Sequence, residues 1–103
     1  IYVPTDNTAA SNTEAIANVT VPAKTPVIAG EEGICKGCGV ATLSISYYDL
    51  GMTTGKMAAK ILTGEADIST MPIEFTTATP KYNASMCETL GITPLEGYTA
   101  IAE

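Results

Sequence analysis

Three thiols and two short polar clusters hold most of the reactive chemistry in this 103-residue chain. Cys35-Lys36-Gly37-Cys38 is a C-x-x-C, and Cys87 is the third thiol. A redox pair wants its first cysteine at a helix start, where the dipole lowers the thiol pKa. Here the surroundings, Ile34 to Val40, read as a glycine-rich loop followed by a strand. A zinc site needs about four ligands, so a carboxylate would have to complete a set made of Cys35, Cys38 and Cys87. Free thiols, a disulfide and a metal site are the three readings of this motif, and an odd cysteine count does not fit a simple disulfide framework.

The first polar cluster is Pro4-Thr5-Asp6-Asn7-Thr8, directly after the apolar run Ile1-Tyr2-Val3. The Thr5 hydroxyl, the Asn7 amide and the backbone N–H groups of a following helix could surround a carboxylate, and Asp6 could take an ammonium. The same residue types also cap helices and make Asx-turns. The second cluster, Gly30-Glu31-Glu32-Gly33, follows Val27-Ile28-Ala29. Adjacent residues in a turn point apart, so Glu31 and Glu32 do not read as a catalytic dyad, although one of them could bind an amine. With no histidine in the chain, the usual base near neutral pH is missing. No catalytic set and no cofactor is implied.

These clusters need elements to hold them. Ile1–Val3 reads as a short buried strand closed by Pro4. A helix follows, capped by Thr8 or by Ser11 with Glu14 completing a capping box. Its apolar stripe is Ala9, Thr13, Ile16, Ala17 and Thr20, and Pro22 ends it near Val19 or Thr20. Val27–Ala29 is a second strand, so residues 1 to 29 read as a β-α-β unit with parallel strands. Both polar clusters then lie past the carboxyl ends of their strands, the edge where open α/β sheets bind ligands. Ala41 to Ser46 reads as a third strand. A long helix runs from about Tyr47 to Thr63, with Leu50, Thr54, Met57, Ala58, Ile61 and Leu62 as its core stripe and Gly64 as its stop. Gly51 and Gly55 would let it approach a sheet closely. Ile73–Thr76 is a candidate strand, and Ser85–Leu90 is a helix with Ser85 and Glu88 as its capping box. A last helix starts at Thr93-Pro94. The fold class is α/β with a parallel sheet.

Composition narrows the function. A net charge of −6, from eleven acidic residues against five basic ones, leaves no basic face for nucleic acid. A hydrophobic fraction of 46% with 16% charged residues is a folding composition. No run of about 18 apolar residues is present to span a membrane.

Read together, "IYVPTDNT", "PVIAGEEG", "ATLSISYYDLGMTTGKMAAKILTGEAD", "MPIEF" and "TLGI" resemble the carboxyl-terminal part of bacterial ABC-transporter substrate-binding proteins, in particular the tryptophan/tyrosine-type uptake receptors. The resemblance implies a partial type I periplasmic-binding-protein architecture, two α/β lobes joined by hinge strands, with the first two-thirds of such a receptor absent. It implies that residues 1–39 belong to the second lobe, 40–71 are hinge strand and helix of the first lobe, and 72–103 return to the second. It further implies a small amino-acid-like solute held by Thr5, Asp6, Asn7, Glu31, Glu32 and Ser46, with Tyr47 as a stacking platform. An ABC permease would be the partner and the location extracytoplasmic. Ser46 stands where the pattern often has an aspartate, Pro22 interrupts a helix that usually runs on, and Cys35 and Cys38 replace residues that are ordinarily not cysteine. The readings from other classes are a small C-x-x-C redox or metal-binding domain and a ligand-free structural dimer. Elements built to pack on an absent lobe would leave apolar surface bare, so the isolated chain is expected to form a homo-oligomer.

Overall fold

Residues 1–102 are described by a computed structural model. In chain order its elements are β1 (Tyr2–Val3), α1 (Asn7–Ala10), α2 (Thr13–Thr20), β2 (Ile28–Ala29), α3 (Glu32–Cys38), β3 (Ala41–Ser44), α4 (Tyr47–Leu62), β4 (Thr79–Tyr82), α5 (Ala84–Leu90) and β5 (Thr99–Ala100). They divide into two compact units. The first is Ile1–Ser44 together with the chain from Thr79 onward, and the second is Ile45–Ala78.

The first unit is an α/β sheet in the order β1-β2-β3-β4-β5. β1 pairs with β2, and β2 with β3, in parallel; Tyr2 faces Ile28 and Ala29 faces Thr42. β4 runs antiparallel to β3, and β5 parallel to β4. The expected opening β-α-β is therefore present. Its core is Val27, Ala29, Ile34, Cys35 and Cys38, with Val3, Ala9, Ile16, Ala17 and Ile101 packed against it. Ala9, Ile16, Ala17 and the buried Thr20 belong to the stripe expected after β1.

Four local expectations give way to tertiary contacts. The single helix after β1 is two: Asp6, rather than Thr8 or Ser11, caps α1, and α2 restarts at Thr13 without a side-chain cap. At the break the Ser11 hydroxyl donates to the Asn7 carbonyl (2.9 Å) and the Asn12 amide to the Thr8 carbonyl (2.8 Å), so polar side chains bridge the chain there. The glycine-rich loop around the C-x-x-C is the helix α3. Glycine at 37 is a packing requirement, because a Cβ there would lie 2.2 Å from the Thr13 hydroxyl oxygen. Ile73–Thr76 is not a strand; the sheet is completed by Thr79–Tyr82, a poor pattern containing Pro80 that nevertheless pairs along all of β3. The helix expected from Thr93-Pro94 is absent, since Gly97 turns with φ 87° and Thr99–Ala100 then pairs with β4.

α5 forms as expected and ends at Gly91 in the left-handed region (φ 68°), but its cap is Asn83 rather than Ser85 with Glu88. Asn83 is buried and serves two elements at once. Its side-chain oxygen accepts from the Met86 amide, and its side-chain nitrogen donates to the carbonyls of Cys35 and Lys36 at 3.0 Å each. It thus ties the last turn of α3 to the start of α5.

The second unit is built on α4, whose bounds match the expected helix. Its interior does not match. No residue from 45 to 78 is buried, so the stripe expected as core is at best half covered. Met57 and Ile61 line a shallow apolar groove with Ile68, Met71, Pro72 and Ile73, while Leu62 is 86% exposed. Gly51 and Gly55 approach nothing within 4 Å, which corrects the expectation of close sheet packing.

Candidate functional site

The parallel start of the sheet brings the two polar clusters side by side. Tyr2 pairs with Ile28 and Val3 with Ala29, so the turns after β1 and β2 leave the same edge. The Gly30 amide donates to the Val3 carbonyl (2.8 Å), and the Thr5 hydroxyl donates to the Gly30 carbonyl (3.2 Å). Only glycine fits at 30, because a Cβ would lie 2.7 Å from the Thr5 nitrogen. The approach of the two backbones is therefore written into the sequence, but only the pairing of the strands reveals it.

Within this rim the polar side chains hold backbone groups, helix starts and Lys81. The Asp6 carboxylate accepts from the Ala9 amide (2.8 Å). Glu31 accepts from the Gly33 amide (2.9 Å) and the Ile34 amide, and so caps α3. Glu32 turns to the Lys81 ammonium on β4 at 2.7 Å, with both side chains about two-thirds covered. Glu31 and Glu32 are therefore split between different partners, as their adjacency in a turn suggested. Thr5 and Asn7 are exposed. The amides of Asn7 and Thr8 have no protein acceptor among the described residues, which leaves donors for an incoming group.

Ser46 and Tyr47 lie in the second unit. The Ser46 hydroxyl accepts from the Asp49 amide (3.2 Å) and caps α4, and Tyr47 is exposed in its first turn. Sequence reasoning missed two features. Lys81 gives no signal within Thr-Pro-Lys-Tyr, yet it neutralises Glu32. The hydroxyls of Thr42 and Ser44 are buried without a partner among the described residues. Their alternation with Leu43 was the available clue, since it puts both on one face of β3.

The thiols form no comparable site. Cys35, Cys38 and Cys87 are free and buried. Burial pushes the Cys35 thiol up to about 12, with Cys87, Cys38, Glu32 and Glu31 adding like-charge repulsion. Burial raises Cys38 and Cys87 as well. A pair of this kind resists forming the thiolate that redox or zinc chemistry uses. Among the described residues no group of three or more His, Cys, Asp or Glu side chains is placed to hold a metal ion. No described helix is long and apolar enough to cross a membrane.

Known proteins share this fold. The sequence profile described as ABC transporter substrate binding protein matches residues 1–103. A tyrosine-binding protein of Clostridioides difficile is 36% identical over 66 residues, which are 64% of this chain and 19% of that protein. The ligand-free, open structure of a Clostridium difficile substrate-binding protein with adhesive properties is similar at a TM-score of 0.76 and 34% identity, covering 97% of this chain and 35% of that one. A Streptococcus ABC domain in complex with L-Trp is similar at a TM-score of 0.79 and 31% identity, covering 98% and 36%. The chain thus spans about a third of the solved relatives and about a fifth of the tyrosine-binding protein.

Proposed function

The chain belongs to the ABC transporter substrate-binding protein family, and we propose that it supplies the carboxyl-terminal part of an importer's receptor for a small amino-acid-like solute. On this reading the function is binding without catalysis, and it takes place in a cleft between the two lobes of a type I periplasmic-binding-protein fold. Residues 1–39 and 72–103 belong to one lobe and residues 40–71 to the other. An ABC permease is the partner of the intact, extracytoplasmic protein, and the isolated chain self-associates.

One observation carries the reading: the Thr5–Thr8 and Gly30–Glu32 turns share the carboxyl rim of a parallel strand pair, 3.2 Å apart at the Thr5 hydroxyl and Gly30 carbonyl. The exposed Thr5 and Asn7 and the open amides at the start of α1 suit a ligand carboxylate. Asp6, Glu31, Glu32 and Ser46 act as shape-giving neighbours whose carboxylates and hydroxyl already hold helix starts or Lys81, and Tyr47 offers a ring for stacking. Lobe closure would follow because a solute touching both lobes favours the closed state. With about a third of a receptor present, the chain offers part of a cleft, so the expected affinity for L-Trp or L-Tyr is weak.

Amide chemical-shift mapping tests this. Titrating L-Trp or L-Tyr into the labelled chain should move signals of Thr5–Thr8, Gly30–Glu32 and Ser46–Tyr47 without saturating in the micromolar range. Shifts confined to other segments, or none at solubility, would overturn the placement of the solute.

A further inference from the structure

α4 carries two apolar faces, and the second one has a partner written into its own sequence. Thr54, Met57, Ala58 and Ile61 form the face that the chain from Ile68 to Ile73 half covers. Tyr48, Met52, Gly55, Ala59 and Leu62 form another, at alternating steps of four and three residues. That is the heptad spacing of a helix–helix seam. The seam is bare: Tyr48 is 76% exposed, Met52 47% and Leu62 86%, and a Cβ on Gly55 would meet nothing within 4 Å.

We propose that this seam packs against the same seam of a second copy, antiparallel, about a two-fold axis between Thr53 and Thr54. Two properties of the sequence select that occupant and register. The first is volume. In this register Tyr48 faces Ala59 of the partner and Met52 faces Gly55, and symmetry repeats both contacts, so every large side chain of the central layers meets a small one. The second is charge. Asp49 and Lys56 flank the seam on one side, and an antiparallel pair sets that flank against itself. Asp49 of each copy then comes within two residues, roughly 3 Å along the axis, of the position opposite Lys56 of the other. Two opposite-charge pairs close the seam, whereas a parallel pair would set this flank against the other one, Gly51 and Ala58, and leave Asp49 and Lys56 without opposite charges. This deepens the self-association in the proposed function and does not depend on the solute.

Sedimentation equilibrium of the 103-residue chain tests it. The expected result is a dimer that Met52→Glu abolishes and Asp49→Lys weakens about tenfold or more, with Asp49→Lys/Lys56→Asp restoring it. Circular dichroism checks that the variants stay folded, which their exposed positions predict. Glu14→Lys, in the first unit, should leave the dimer intact. A chain that stays monomeric at millimolar concentration overturns the proposal. So does a dimer indifferent to Met52→Glu and Asp49→Lys, which would leave self-association standing but place it on another surface. Loss of the dimer when the preceding part of a receptor is joined to the chain would give the seam to that part and overturn the second copy as its occupant.

Discussion

The two units answer differently to the same kind of sequence signal. In the first, a weak pattern becomes a dense interior. Glycine-punctuated residues 32–38 fold into a helix with Ile34, Cys35 and Cys38 fully enclosed, because Glu31 caps its start, Asn83 holds its last carbonyls and Thr13 fills the notch at Gly37. In the second, the clearest periodicity of the chain produces a well-formed helix with no buried residue. Periodicity sets the conformation; enclosure depends on what lies opposite. The contrast teaches that a stripe of apolar residues is a request for a partner, and only the first unit contains its own.

Substitutions and conditions should separate the units, starting with the largest effect. Cys35, Cys38 and Cys87 have native pKa values raised above the ordinary 9.0, Cys35 to about 12. The unfolded chain therefore gives up thiol protons where the native state keeps them. The part due to Cys35 is full below pH 9 and is lost as pH rises from about 9 towards about 12, at up to ~1.4 kcal/mol per pH unit, and Cys38 and Cys87 add losses of the same sign. Urea melts at stepped pH should show the decline, and Cys35→Val should flatten it. If the decline is unchanged in Cys35→Val, the Cys35 thiol is not its source.

Asn83→Ala removes the side-chain donor to the Cys35 and Lys36 carbonyls and the α5 cap. It should cost about 2–4 kcal/mol, measured by the denaturation midpoint. Gly37→Ala forces a methyl into the Thr13 side chain and should cost about 1–3 kcal/mol, part of which Thr13→Ala in the same chain recovers. The smallest effect belongs to the second unit. Phe75→Ser, at a side chain 85% exposed and outside both faces of α4, should stay within about 0.5 kcal/mol. Hydrogen exchange sharpens the same comparison: amides of α3 and β3 should open only with global unfolding, and those of α4 should exchange through local opening. Equal protection of α3 and α4 would erase the distinction between the units.

Much of the rim was legible before any coordinates. Pro4 and Gly30 bracket the strands, and Thr5, Asp6, Asn7, Glu31 and Glu32 announce turns of defined chemistry. What they bind to was less legible, because Asp6 and Glu31 have the residue types of a cap and of a ligand contact alike. The partner of Glu32 was not legible at all. Lys81 lies far along the chain, and no local pattern says that β4 will run beside β3. The same ignorance produced the wrong strand at Ile73–Thr76: alternation there is good, but no neighbour offers a ladder, whereas Thr79–Tyr82 gains one.

The sequence by itself determined the α/β class, the parallel start, the extent of α4 and the two polar turns, because these follow from spacing within a few residues. Tertiary structure alone decided that α3 is a helix, that Asn83 is a brace, that the thiols are walled off from water and that Thr5 meets Gly30. Each of those depends on groups distant in the chain meeting at close range, and their energies come from burial and pairing that no local window contains.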